Sequence, residues 1–208
     1  MSEYSIRPLR AGNKDEIDRL YEICLLTGDA GNDASSMYTD PRLLGELYVG
    51  AYATLHPEFA FVLVDGTDQP VGYAVGVADS LAFDRELEGQ WWPPLRAAYS
   101  QVKFTAGSPD SDLIQTLMRW APTHHDVASR YPAHFHIDIL PQAQGEGRGR
   151  ELLFTLLNAF WAAGVLGVHL GVSAKNTRAI GFYEHVGFHT VSQEPWGQTM
   201  GMSAPRLD

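Results

Sequence analysis

The sequence predicts one α/β domain built on a mixed sheet, and three observations predict it. An alternating run, His134 to Leu140, ends at Pro141 and passes through a glycine-rich turn, Gln144 to Gly149, into an amphipathic helix. Two apolar, β-branched-rich runs, Phe59–Val64 and Val71–Val77, flank Asp65-Gly66-Thr67-Asp68-Gln69-Pro70 and read as an antiparallel hairpin. Helical periodicity stands before the hairpin and after the glycine turn, so helices are interleaved with strands. At 208 residues, without repeats, low-complexity tracts or linkers, the chain is expected to form one domain over 1–208 with a substantial core.

Each element follows from local pattern. Tyr4 to Pro8 reads as a first strand. Asn13 is a good helix N-cap with Glu16 three residues on, a capping-box arrangement. Ile17, Leu20, Tyr21, Cys24 and Leu25 then recur on one face, and the helix stops near Gly28. Turn-forming residues fill Thr27 to Ser36. A second helix is expected from about Pro41 to Leu55, with Leu43, Leu44, Leu47, Tyr48 and Ala51 inward.

Residues 80–132 lie between the hairpin and the strand of the glycine turn. Pro93-Pro94 opens a helix through Tyr99, and Leu113, Leu117 and Trp120 fall at helical spacing. This stretch reads as a helical insertion that leaves the sheet and returns to it, building a wall of a cleft. Trp91 and Trp92 within it either fill the insertion's own core or line a substrate pocket. Beyond the glycine turn, Leu152, Leu153, Leu156, Leu157, Phe160 and Trp161 face inward. A buried strand, Val165–Val172, then a helix from Asn176 to Gly187 and a hairpin around Pro195-Trp196-Gly197 complete the chain.

Composition narrows the function classes. A net charge of -10 argues against nonspecific nucleic-acid binding and against an anionic membrane surface, and is compatible with a cationic acceptor. A single cysteine, Cys24, excludes an internal disulfide and suits a reducing compartment. No apolar signal core opens the chain and no run approaches the ~20 residues of a membrane span, so a cytoplasmic location is expected.

The glycine turn carries the chemistry. Glycines at 145, 147 and 149 remove the β-carbons that would keep a ligand off the main chain, at the positive end of the following helix. Arg148 and Arg150 in a first helical turn are disfavoured by the helix dipole unless an anion compensates them, and Glu146 and Glu151 offset only part of their charge. A Walker loop needs Lys-Ser/Thr where Arg150-Glu151 stands, and a dinucleotide fingerprint needs another glycine spacing and a later acid. Neither fits, and a ligand-free tight turn remains the plain alternative.

Gln144, Gly147 and Gly149 match the Gln/Arg-x-x-Gly-x-Gly/Ala loop of the GNAT superfamily of N-acetyltransferases. Downstream, Asn176, Ala179, Phe182-Tyr183 and Gly187-Phe188 resemble that family's second signature. More narrowly, His136-Ile-Asp138, Val168 to Asn176, Thr27 to Gly31 and Trp91-Trp92-Pro93 resemble the acetyltransferase-like C-terminal domain of O-GlcNAcase and its free-standing bacterial relatives.

The resemblance implies a mostly antiparallel sheet with splayed central strands and helices on both faces. It implies acetyl-CoA bound by Gln144, Gly145, Glu146, Gly147, Arg148, Gly149 and Arg150, with Asn176, Phe182 and Tyr183 alongside. The pantetheine arm would use main-chain groups near Ile139 and Leu140. The acceptor would be a small amine or a peptide or protein lysine, and the chain a monomer or homodimer.

For catalysis, periodicity alone puts Tyr183 on the buried stripe Ala179, Phe182, Tyr183, Val186, whereas the motif makes it the general acid. Asp138 is the candidate base or amine-orienting acid, because a charge in a central apolar strand is costly unless paired or functional. His134, His136 and Asp138 share one strand face, but positions ~6.6 Å apart suit a metal poorly, and none is expected. His136, Asp29, Asp33, Tyr38, Trp91 and Trp92 are the acceptor-site candidates. The rival is a module that holds acetyl-CoA without transferring its acetyl group; such a module needs the glycines but neither Asp138 nor Tyr183.

Overall fold

A computed structural model describes residues 4–205. The strands are β1 (Ser5–Pro8), β2 (Ala60–Val64), β3 (Pro70–Val77), β4 (Ala133–Ile139), β5 (Gly167–Ser173), β6 (His189–Glu194) and β7 (Gly197–Ser203). They form one seven-stranded sheet in the order β1-β2-β3-β4-β5-β7-β6. Neighbours are antiparallel except β4 and β5, which run parallel. The expected mixed, mostly antiparallel sheet is what the chain forms, and helices cover both faces.

On one face, α1 (Lys14–Leu26) lies over β3 and β4. Asn13 caps it by accepting the Glu16 N–H at 3.2 Å. The reciprocal half of the capping box does not form. The Glu16 carboxylate accepts instead from the Arg10 N–H at 3.0 Å and from the guanidiniums of Arg7 and Arg10, each at 2.7 Å, because two fixed cations outcompete one amide. Leu20, Ile23 and Cys24 face the core.

The expected helix 41–55 is two helices, α2 (Leu43–Tyr48) and α3 (Gly50–Leu55), broken at Val49 with φ -133°. Tyr21 of α1 is the wedge. A β-carbon on Gly45 would lie 2.4 Å from its ring, and one on Gly50 would lie 1.9 Å from its hydroxyl. Only glycine permits that approach, and the helix axis gives way between the two contacts.

The insertion is helical as read, with α4 (Ser80–Glu86), a π-turn at Leu87–Trp91, α5 (Trp92–Tyr99), α6 (Pro109–Met118) and α7 (His125–Ala128). It packs on α2 and on itself. Trp92 is fully buried, its ring 5.0 Å from that of Trp120. On the opposite face, α8 (Arg148–Ala162) packs on β2, β3 and β4, and α9 (Thr177–His185) leans on β5.

The strand that matters most is β4. It pairs with β3 from Val77↔His134 to Gly72↔Ile139. With β5 it pairs only at Ala133↔Val168 and His134↔His169. Beyond that point the two parallel strands part, while β5 stays with β7 from Gly167↔Ser203 to Ser173↔Gly197.

Candidate active site

The parting of β4 and β5 opens two adjoining cavities. The smaller, about 180 Å³, lies between the strands, bordered by Phe135 to Asp138 on one side and Leu170 to Ser173 on the other. The larger, about 520 Å³, continues past Ile137 to Ile139 to the glycine turn and α9. Asp138, Asn176 and Tyr183 border both.

Register explains why this gap is lined by unpaired main-chain groups. Leu140 donates its N–H to Val71 at 2.9 Å, so β4 residues of even number direct their main-chain groups to β3. Ile137 and Ile139 therefore direct theirs toward β5, where no strand remains to receive them. The Ile139 carbonyl accepts the side-chain amide of Gln144 at 2.8 Å. Leu140, expected to face the ligand, has its amide on β3 and its side chain buried, so it is not part of the gap.

At the turn, Gly145, Glu146 and Gly147 all have positive φ (89°, 50° and 78°), a run that turns successive amides to one side. Gly147 is the N-cap of α8. A β-carbon on Gly145 or Gly147 would meet nothing within 4 Å, so the space over the main chain is open. Among the described residues, no acceptor engages the N–H groups of Gly145, Glu146, Gly147, Gly149 or Arg150. Unsatisfied donors at a helix N-terminus beside an open cavity are what a phosphate group requires, so the turn fits the nucleotide end of acetyl-CoA.

The two arginines differ. Arg150 borders the larger cavity. Arg148 folds back: it donates to the Gln144 carbonyl at 3.2 Å, pairs with Glu146 and lies 4.3 Å over the Tyr4 ring. The side chains of Arg148 and Glu146 thus brace the turn from behind. Sequence reading missed Arg178, which borders the cavity and donates to Gln144 Oε1 at 2.7 Å. Its signal was its place, two residues after the helix-capping Asn176.

Asp138 sits with Tyr73, whose hydroxyl donates to its Oδ2 at 2.5 Å. Burial pushes the Asp138 carboxyl up to about 7, against the opposing hydrogen bond of Tyr73. Tyr183 packs between Phe135, Phe182 and Phe188. Burial, then the charge of Asp138, raises its phenol above the ordinary value, so it is protonated at neutral pH. Tyr183 therefore belongs to the buried stripe and to the cavity wall together.

His136 borders the smaller cavity. The other acceptor-side expectations fall elsewhere. Asp29 bridges to Asn32 through main-chain groups and the Asp33 carboxylate accepts the Ser35 N–H at 2.8 Å, and neither residue borders a cavity. From that loop Thr27 and Gly31 border the larger cavity instead. Tyr38 is half-buried and borders neither cavity. Trp91 donates its indole N–H to the Glu46 carbonyl at 3.0 Å, and Trp92 is core. No residue of 80–132 borders either cavity: Trp91 bonds to α2, Phe83 packs on Tyr52 and His134, and Trp92 packs on Trp120, so the insertion is not a wall of this cleft.

A sheet whose central parallel strands part beside an open amide cradle is the architecture of an acyl-CoA transferase. Residues 119–188 match the Acetyltransferase (GNAT) family. The crystal structure of SsHAT aligns with a TM-score of 0.86 and 35% identity, over 97% of this chain and 98% of that one. The chain belongs to the GNAT family of acetyltransferases. Protein O-GlcNAcase of Rattus norvegicus is 25% identical over 197 residues, 91% of this chain and 20% of the rat protein. The chain thus spans about a fifth of the length of the curated relatives it matches. The fold is shared by yncA from Salmonella typhimurium, solved with its cofactor acetyl-CoA, at a TM-score of 0.56 and 17% identity over 100% of this chain and 97% of that one.

Proposed function

We propose that this chain transfers an acetyl group from acetyl-CoA to an amine by direct attack, with Asp138 as base and Tyr183 as acid. The observation that carries the reading is the open gap between β4 and β5, with these two side chains on its border and unpartnered amides at its end. The acetyl-CoA bound to yncA supports the choice of cofactor.

Acetyl-CoA supplies an activated acyl carbon and a thiolate leaving group. The residues of this chain do the rest. The amides of Gly145, Glu146, Gly147, Gly149 and Arg150 hold the phosphates, and the Arg150 side chain adds charge. The main-chain groups of Ile137 and the N–H of Ile139 align the arm, which takes the place of the missing strand. As the amine nitrogen bonds to the acyl carbon and the carbon–sulfur bond breaks, ionised Asp138 accepts the nitrogen's proton. Tyr183 gives its phenol proton to the sulfur and is restored through solvent in the cleft.

The order of these transfers helps both residues. Neutralising Asp138 removes the negative charge that holds the Tyr183 proton, so the phenol becomes a better donor as it is needed. Calorimetric titration with acetyl-CoA, followed by thiol-release assays over small amines, amino sugars and lysine peptides, tests the reading. Saturable binding with thiol release that depends on an amine is expected. No binding at millimolar acetyl-CoA overturns it, and binding without acceptor-dependent release leaves a holding module.

A further inference from the structure

A chain of hydrogen bonds runs behind the acceptor side of β4, and its donors and acceptors can be assigned from one end. A carbonyl oxygen only accepts, so the Ser80 hydroxyl, 2.7 Å from the Pro132 oxygen, donates to it. With its hydrogen committed, Ser80 Oγ accepts from His134 Nδ1 at 2.6 Å. The reverse assignment would press two oxygens together at 2.7 Å with no hydrogen between them. Burial and the neighbouring imidazoles of His169 and His136 drive the His134 pKa far down, so its ring is neutral with one hydrogen, and Nε2 is a lone pair.

The Tyr52 hydroxyl, 2.7 Å away, must then donate to His134 Nε2. Tyr52 Oη in turn accepts from His136 Nε2 at 3.3 Å. Burial pushes His136 down to about 4, so this ring too is neutral and holds one hydrogen. That hydrogen is on Nε2. Nδ1 is left as a lone pair that no group engages among the described residues, on a side chain bordering the smaller cavity beside Asp138.

We infer that His136 is a specificity-determining hydrogen-bond acceptor which, together with Asp138, selects primary amines as acetyl acceptors. The inference rests on the transfer reading above. A neutral primary amine carries two N–H groups: one is the proton Asp138 takes, and the other meets His136 Nδ1. A secondary amine has one, so it satisfies Asp138 and leaves the histidine lone pair facing carbon. His136 and Asp138 occupy neighbouring same-face positions, ~6.6 Å apart along the strand; two hydrogen bonds of about 2.9 Å diverging from one amine nitrogen span about 4.7 Å, so each side chain leans about 1 Å toward the other to bind it. Tyr52, His134 and Ser80 are positioning residues: they act by keeping the hydrogen off Nδ1.

Two measurements on the whole chain test this separately. Long-range ¹⁵N–¹H correlation spectra of the histidine rings report which nitrogen is protonated without any turnover. His134 is expected as the Nδ1–H form and His136 as the Nε2–H form, with His136 drifting to a mixture in Tyr52→Phe. A hydrogen on His136 Nδ1 in the unsubstituted protein overturns the inference even if the variant fails to fold.

The second measurement compares kcat/KM for propylamine and N-methylpropylamine. His136→Phe is expected to lower the primary-to-secondary ratio about tenfold, the size of one lost hydrogen bond. His136→Asn, whose amide oxygen falls near the former Nδ1, restores part of it. Transfer with an unchanged ratio overturns the selection alone. If propylamine is not an acceptor, the same ratio is read for a lysine peptide and its Nε-methyl-lysine form, and no transfer by the unsubstituted protein to any acceptor of the panel overturns the selection and the transfer reading together.

Discussion

The two ends of β4 make an instructive comparison, because the same alternation of residues serves opposite purposes within seven positions. At the Ala133 end the main chain pairs with β3 on one side and β5 on the other. His134 there has both ring nitrogens bonded, to Tyr52 and Ser80, and no lone pair left for a ligand or metal. At the Ile139 end β3 remains but β5 has gone. Asp138 there keeps one partnered oxygen and a carboxyl poised near neutrality. Side-chain alternation decides which helical layer a residue meets, but strand pairing decides whether it can meet anything else.

The largest expected effect comes from filling the amide cradle. Gly147→Val places a β-branched residue at φ 78° and a side chain in the open space over the turn. Calorimetry should show acetyl-CoA binding weaker by roughly a hundredfold or more, from about 3 kcal/mol of strain and lost contact. Comparable affinity would mean that the cradle is not the phosphate site.

Asp138→Asn comes next and separates chemistry from stability. We expect kcat/KM to fall roughly a hundredfold, and its rise with pH through about 7 to disappear. Stability should move the other way. The unfolded carboxyl loses its proton near 3.8 and the folded one near 7, so between these values the folded state binds the extra proton. Its stabilising contribution is complete below the lower value and is lost as pH rises through the higher one. The Asn variant avoids that loss, and above pH 7 its melting temperature should exceed that of the parent by about 2–4 °C for each kcal/mol recovered.

Tyr183→Phe removes only a hydroxyl and should lower kcat by about tenfold to a hundredfold with acetyl-CoA affinity little changed. Unchanged turnover would return Tyr183 to packing alone. The smallest effect belongs to Arg178→Ala, which deletes an exposed cation bordering the cavity and a 2.7 Å bond to Gln144. About threefold weaker acetyl-CoA binding is expected, shrinking further as salt is raised.

Some of this arrangement can be read from local pattern and some cannot. The β2–β3 hairpin, the helical character of 80–132 and the passage from β4 through the glycine turn into α8 all follow from period, caps and turn residues, which act over a few positions. The break at Val49 does not: it is caused by Tyr21, more than twenty residues away, pressed against Gly45 and Gly50. Trp92 could not be placed by pattern, since a core and a pocket both demand an aromatic, and only the partner ring of Trp120 distinguishes them. The bracing role of Arg148 depends on Tyr4 and on carbonyls it reaches by folding back. Tyr73 on Asp138, and Tyr52 between two histidines, are meetings of separate elements that spacing does not encode.

By itself the sequence determined the family, the strand–turn–helix unit and the residue types of the site, because glycine at positive φ, helix capping and strand alternation are local consequences of covalent structure. The tertiary structure alone decided that β5 would hold to β7 along its length and leave β4 after His134. That separation leaves donors unpaired, admits a ligand between strands, and places Asp138 where burial lifts its carboxyl toward neutrality. All three depend on which chains of atoms are near one another in space, and no local pattern carries that information.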